Sequence, residues 1–365
     1  MTVVICALPY LSRHDAVSND ARIEQKVLKQ AGYQSYLYAE LFQSGCESES
    51  IDHTTFKRLT DDPATILVFH MCVAWAPLDA FLAQTRCKVI LRYHNMTPPQ
   101  FFDAYDQQGA HATRAGLEQM SRIYRHPQIK MLMAQSPFTL QDALSTWGPL
   151  DIPSTVVAPF LALPDPAKHT DDDHAIVADL NDGRTHLFFI GRWAPNKGHH
   201  HLLGVLNSYF ELYGANARLT IAGAVSPNFK GYQAQIEGLA KSLGVDHMLR
   251  IIKGIDERQL LTYLRHSMAF LLTSEHEGFC VPVVEAQLFR LPVLALANTA
   301  ITDTVGPDQL TFSQPNYDLF AAAAHRIHQD ESLRQLLIAQ GEKNAARFSF
   351  EATSTHFLDA VNLLR

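Results

Sequence analysis

A chain of 365 residues exceeds the length at which one hydrophobic core keeps growing, so two domains are expected. Hydrophobic residues make up 47% and charged residues 18%, an ordinary globular composition that can fill two cores. The formal net charge of -7 argues against nucleic acid as the main partner, and no apolar run reaches the roughly 18 residues of a membrane span.

The N-terminus, MTVVICALPYL, has no basic leader and runs directly into structured sequence, which is unlike a signal peptide. Cys6, Cys46, Cys72, Cys87 and Cys280 are odd in number and show no CxxC spacing. They read as reduced, mostly buried thiols of a cytoplasmic protein. TVVICALPY is a β-branched run that should end at its Pro as a buried parallel strand. The polar stretch LSRHDAVSND then reads as a loop, and ARIEQKVLKQAGY as a helix with Gly32 just past its end. SYLYAE, TILVFH and KVILRYHN read as further strands, so the pattern is one of βαβ units. Between the last of these and the next domain, ATRAGLEQMSRIYRHPQIK mixes basic residues with Leu, Met, Ile and Tyr. It reads as a charged surface helix, with attachment to an anionic membrane surface as the alternative.

PFLALPDPAKHTDDDH breaks the alternation with prolines and then acids, and marks the domain boundary. Asp171 to Asp173 could suggest a metal site, but their place in a linker favours a solvated loop. The alternation then resumes through HLFFIGRW, ARLTIAGA, LRIIKG, MAFLLTS and LPVLALAN, each followed by helical sequence. Two doubly wound sheets in tandem would place a ligand-binding cleft at the carboxyl ends of their strands.

Three strand ends carry unusual chemistry. In FFIGRWAPNKGHHHLL, Gly191 opens a loop holding Arg192 and Lys197 just before a helix. Two cations at a helix N-terminus suit a diphosphate, with a solvated basic loop as the plain alternative. His199, His200 and His201 are consecutive helical residues about 100° apart, so no shared metal is expected. In SEHEGFCVPVVEAQLFRLPVLA, Glu277, Gly278 and Phe279 form a turn, and Pro282 suits the first helical turn. Glu285 could accept from vicinal hydroxyls such as those of a ribose, while Glu277 could meet a second hydroxylated ring. The plain alternative leaves both glutamates solvated. In VILRYHNMTPPQFF, His94 ends a strand where it could bond a sugar or a transferring proton, or be satisfied within loop packing.

EGFCVPVVEA and GRWAPNKG together resemble the paired motifs of family 4 retaining glycosyltransferases, E-G-F-x-x-P-x-x-E-A and G-R-x-x-x-x-K-G. YHNMTPPQFF, HDAVSND and ITDTVG are similar to a subgroup that builds bacterial cell-surface polysaccharide, as in O-antigen, capsule or lipopolysaccharide synthesis. The resemblance implies an α/β GT-B fold, two Rossmann-like doubly wound parallel-sheet domains facing a central cleft. Residues 1–165 would bind the acceptor, joined by a returning helix at 346–365, and residues 166–345 would bind a nucleotide-sugar donor.

By position, the resemblance assigns Arg192 and Lys197 to the donor diphosphate beside Gly191, and Glu285 to the donor ribose. Glu277, Gly278 and Phe279 would hold the donor sugar. Val281 and Pro282 would lie by the ribose and phosphates, and Lys253, Gly254 and Ile255 by the base. His94 would bond the transferred sugar. Arg192, Lys197, Glu277 and His94 would thus be the catalytic set, and Asp15, Ser18 and Asn19 would border the acceptor. The donor would be a UDP- or GDP-sugar, the acceptor a glycan or lipid-linked glycan, with no metal and no permanently bound cofactor. Cys280 and Arg290 stand where the family often has Gly, and the N-terminal loop lacks the family's glycines.

Other functions remain open on the same fold. An epimerase or phosphorylase is one, although no stretch marks the lysine that pyridoxal phosphate would need. A non-catalytic sugar-nucleotide binding protein is another. A nucleotide-dependent oxidoreductase would need GxGxxG after the first strand, where VVICALPYLSR has no glycine.

Overall fold

The computed structural model describes residues 2–13, 15–169 and 171–365. His14, which opens HDAVSND, and Thr170 of the linker lie outside the described residues. The chain forms two compact units. The first comprises residues 1–99, 108–162 and 348–365, and the second residues 100–107 and 163–347.

The first unit is built on six parallel strands: β1 (Val3–Leu11), β2 (Gln34–Phe42), β3 (Ile66–Met71), β4 (Lys88–Tyr93), β5 (Ile129–Ala134) and β6 (Ser154–Val156). Their order is β2-β1-β3-β4-β5-β6. Alternate residues of each strand feed two separate cores. Ile5, Leu67, Phe69 and Leu91 face one side, and Val4, Cys6, Val68 and Ile90 the other. Phe357, Ala360 and Val361 of the final helix, Phe350–Asn362, complete the second core.

β1 runs through Pro9 to Leu11, two residues past its expected end. The reason is that β3 pairs only with Val4 to Ala7, so beyond Ala7 the strand has β2 alone as a neighbour. A residue without an N–H is tolerated there. The expected loop at 15–19 is also shorter than read. The helix Ala16–Gln30 begins directly after Asp15, whose carboxylate caps it by accepting from the Ser18 N–H at 2.9 Å.

The segment at 107–123 is helical, with Met120, Ile123 and Tyr124 buried in the first unit's core and Leu117 packed against it. Its apolar residues therefore face inward, which leaves the membrane alternative only the basic residues. Among the described residues no helix is long and apolar enough to cross a membrane.

The second unit holds β7 (Thr185–Ile190), β8 (Ala217–Ala222), β9 (Leu249–Ile252), β10 (Ala269–Leu272), β11 (Val293–Leu296) and β12 (Leu310–Phe312), in the order β12-β11-β10-β7-β8-β9. The chain leaves β7 toward β8 and β9 on one side and returns to β10 on the other. The point where strand order reverses therefore lies between β7 and β10, where open parallel sheets bind ligands.

Residues 100–107 pack on this unit, with Phe102 on Phe229, Tyr105 on Tyr232 and Phe101 near His276. The three aspartates lie in a loop, as read, with Asp171 exposed and the other two committed to partners. Asp173 caps the helix His174–Leu180, and Asp172 accepts from Arg265 at 2.7 Å and pairs with His266 at 2.7 Å. Asp171 meets Arg258 at 3.2 Å.

Candidate functional site

The loops after β7 and β10 converge at the strand-order reversal. Gly191 follows β7, and Gly223 follows β8 with φ +156°. A Cβ on Gly223 would come within 1.9 Å of the Gly191 carbonyl, so the two loops run in backbone contact. Gly198 is left-handed at φ +63° and precedes the helix His199–Tyr213. A Cβ there would meet the Thr273 carbonyl at 2.1 Å, and Thr273 Oγ1 donates to the Gly198 carbonyl at 3.0 Å. These contacts seat the cationic loop against the end of β10.

Within this frame Lys197 Nζ donates to both carboxylate oxygens of Glu277, at 2.7 and 2.9 Å. Glu277 is buried, and its own N–H donates to Thr299 Oγ1 at 3.1 Å. Arg192 is exposed, and its guanidinium has no hydrogen bond or ion pair among the described residues. The next segment turns at Gly278 and Phe279 into the helix Val281–Leu288, with Val281 and Pro282 half-buried in its first turn. The N-terminal end of that helix carries the positive end of its dipole.

Glu285 lies one turn in. The residue is half-buried, its carboxyl is enclosed, and no side-chain partner reaches it among the described residues. Burial pushes its pKa up to about 7. A carboxyl without a donor, next to a helix start, can accept from ligand hydroxyls. Lys253 and Gly254 are exposed and Ile255 half-buried at the end of β9. All of the donor-side candidates thus lie in the second unit.

Cys280 and Arg290, which stand where the resemblance often has Gly, both have left-handed backbones, at φ 75° and 65°. That conformation is the physical reason glycine is usual there. Arg290 sits in the turn closing the helix Val281–Leu288. Its N–H donates to the Gln287 carbonyl at 3.1 Å, and that of Leu291 to the Ala286 carbonyl at 2.9 Å.

The remaining candidates belong to the first unit. Both ring nitrogens of His94 are engaged: Nε2 with His70 Nδ1 at 2.9 Å and Nδ1 with Gln135 Oε1 at 3.3 Å. Gln135 Nε2 donates to the His94 carbonyl at 2.6 Å, which turns its Oε1 toward His94. His94 Nδ1 must then carry the proton and Nε2 must accept from His70. His70 Nε2 in turn reaches Glu24 at 3.0 Å, which carries this chain of bonds to a buried carboxylate.

Arg92 pairs with Asp20 at 2.7 Å and with Glu24 at 2.8 Å, so one buried guanidinium faces two buried carboxylates. Burial, with the charges of His70 and Arg92, holds His94 well below the usual imidazole range, so it is neutral. The expected contact from His94 to a sugar is therefore not preformed, because the ring is satisfied internally. Ser18 is fully buried, and its hydroxyl accepts from the Ser12 N–H at 3.0 Å while donating to Asp15 at 3.0 Å. The Ser18 hydroxyl is thus committed to the turn that opens the helix Ala16–Gln30. Asp15 is exposed, and Asn19 is half-buried beside Arg22.

The sequence reading also missed a cluster beside the donor loops. His199 turns inward and stacks on Trp193, with ring centroids 4.4 Å apart. His200 and His201 do not diverge as expected: their ring centroids lie 3.9 Å apart, and both face Glu275. The i, i+1 spacing predicts backbone directions, whereas the side-chain torsions bring these two rings together.

Residues 171–344 match the family model of the glycosyl transferases group 1. The O-antigen chain mannosyltransferase B of Escherichia coli is 26% identical over 182 residues, 49% of this chain and 46% of its own length. The chain thus spans between a third and just over half of the length of the curated relatives it matches. A glycosyltransferase from Rickettsia africae superposes with a TM-score of 0.77 at 14% identity, covering 100% of this chain and 98% of that one. WaaG, a glycosyltransferase involved in lipopolysaccharide biosynthesis, superposes at 0.67 and 16% identity, covering 99% of each. These superpositions establish two Rossmann-like units of the GT-B kind. Through residues 171–344 the chain is thus similar to the group 1 glycosyl transferases, and its fold is of the GT-B kind.

Proposed function

We propose that the protein is a retaining, metal-independent hexosyltransferase. It moves a sugar from a UDP- or GDP-sugar to a glycan or lipid-linked acceptor, in the synthesis of bacterial surface polysaccharide at the cytoplasmic face. The observation that carries this reading is the Lys197–Glu277 pair at the β7/β10 reversal, with Arg192 beside it and the partnerless Glu285 one helical turn further on. The surface-polysaccharide setting draws support from the O-antigen and lipopolysaccharide enzymes to which the chain is similar. A membrane contact by the basic 107–123 helix would rest on charge alone.

In this scheme the donor diphosphate takes over Lys197 and meets Arg192, and Glu277, released, accepts from hydroxyls of the donor sugar. Glu285 accepts from the ribose, and Lys253 to Ile255 border the base. As the anomeric C–O bond lengthens, its electron pair moves to the departing diphosphate. The two cations stabilise that growing charge more than they stabilise the ground state. The acceptor hydroxyl attacks from the leaving-group face and passes its proton to a donor phosphate oxygen. Asp15 and Asn19 of the first unit are the residues assigned to the acceptor.

The test is a melting screen against UDP-, GDP- and ADP-sugars, followed by product analysis with the stabilising donor. A ligand at about 100 times its Kd adds about 2.7 kcal/mol, readily seen as a melting shift. No stabilisation by any nucleotide sugar, or stabilisation that Lys197→Ala leaves intact, would overturn the assignment. Donor binding with neither hydrolysis nor transfer would make the protein a binder instead.

A further inference from the structure

His200, His201 and Glu275 converge without pairing. His200 Nε2 lies 3.7 Å and His201 Nε2 3.9 Å from Glu275 Oε1, too far to hydrogen-bond. Ligand atoms of the three side chains nevertheless lie within 4.8 Å of one another. A tetrahedral zinc with nitrogen and oxygen ligands at about 2.1 Å separates its ligand atoms by about 3.4 Å. The two imidazole–carboxylate separations therefore need to close by only a few tenths of an ångström, and the imidazole pair by at most about 1.4 Å. His200 and Glu275 are partly exposed and can make that adjustment.

The surroundings hold the ligands from outside. Tyr317 Oη bonds His201 Nδ1 at 2.8 Å, which fixes the ring and leaves Nε2 for the centre. The tyrosine reaches it because Gly204, one helical turn beyond His201, leaves room for its ring. A Cβ on Gly204 would come within 2.5 Å of that ring. Ser208 fastens the same two helices by donating to Asp318 at 2.7 Å. On the other side the Glu275 N–H donates to the Asn196 carbonyl at 2.8 Å, which ties the Glu275 segment to the cationic loop.

We propose that His200, His201 and Glu275 form a three-ligand site for a divalent transition-metal ion of the zinc class, with Tyr317 positioning His201. Two imidazoles and one carboxylate, with a fourth position open to water, suit zinc, cobalt or nickel. They do not suit calcium or magnesium, which take oxygen ligands. The ion acts as a clamp: it joins the start of the helix that follows Lys197 to the turn that leads into Glu277. It has no part in the transfer step.

The test uses tag-free, chelator-stripped protein titrated with Zn2+ against a chromophoric competitor, and with Co2+ followed by its visible spectrum. The expected result is one Zn2+ per chain and a tetrahedral-type Co2+ spectrum, both lost in His200→Ala and in Glu275→Gln. Tyr317→Phe should keep the stoichiometry and weaken affinity by about 10- to 100-fold. Binding without a defined stoichiometry, or equal binding by wild type and both ligand variants, overturns the site. An unchanged affinity in Tyr317→Phe overturns the positioning role.

Discussion

Lys197 and Glu277 lie 80 positions apart in sequence, yet Nζ reaches both carboxylate oxygens, at 2.7 and 2.9 Å, across the strand-order reversal of the second unit. Removing the lysine deletes one preorganised charge. Lys197→Ala should lower turnover by about two orders of magnitude or more at saturating donor. Near wild-type turnover would remove the role given to this residue.

The opposite half of the pair should behave differently. Glu277 competes with an incoming diphosphate for Lys197, so Glu277→Ala should bind free nucleoside diphosphate at least as tightly as wild type while transferring sugar poorly. Calorimetry with UDP and GDP, set beside initial rates, separates the two effects. A variant that loses nucleotide affinity and turnover in parallel would contradict the competition.

Glu285 titrates near neutrality, pushed up to about 7 by burial from an ordinary value of 4.5. An acid whose pKa is raised in the folded state holds its proton there while the unfolded chain has lost its own. Stability from this group is thus full below about 4.5 and is lost as pH rises to about 7. Glu285→Gln should therefore raise the melting temperature at pH 8 more than at pH 5. If the carboxylate form holds the ribose, wild-type donor affinity should also fall as pH drops through 7, and the variant should lack that dependence. A pH-independent melting difference would show that burial of this carboxyl is not the cause.

Arg92 compensates Asp20 and Glu24 where no water reaches them. Arg92→Ala would leave two buried carboxylates facing His70 alone, and should cost about 3–5 kcal/mol of first-unit stability. Urea unfolding followed by a probe confined to that unit measures this. A loss below about 1 kcal/mol would mean that water enters and solvates the acids.

Arg290 holds a left-handed backbone at a helix end, at the cost of a side chain where glycine is relaxed. Its exposed ion pair with Glu342, at 2.7 Å, is worth less than about 1 kcal/mol. Arg290→Gly should therefore leave the protein as stable or up to about 1 kcal/mol more stable. Marked destabilisation in a denaturant melt would show that the ion pair outweighs the strain.

The sequence alone determined the alternation of strands and helices and the two motifs at the ends of β7 and β10, because hydrophobic period and turn chemistry are local properties. It also marked Cys280 and Arg290 as departures from glycine, although only the backbone angles explain why glycine is usual there. Tertiary structure decided everything that depends on which side chains meet across the sheets. It buried His94 in a chain of bonds from Gln135 to Glu24, and it spent Ser18 on a helix cap. It also turned His200 and His201 onto Glu275, where backbone spacing alone predicts divergence. Such meetings join residues up to 80 positions apart through packing and side-chain torsion, and neither quantity is written in the local order of the chain.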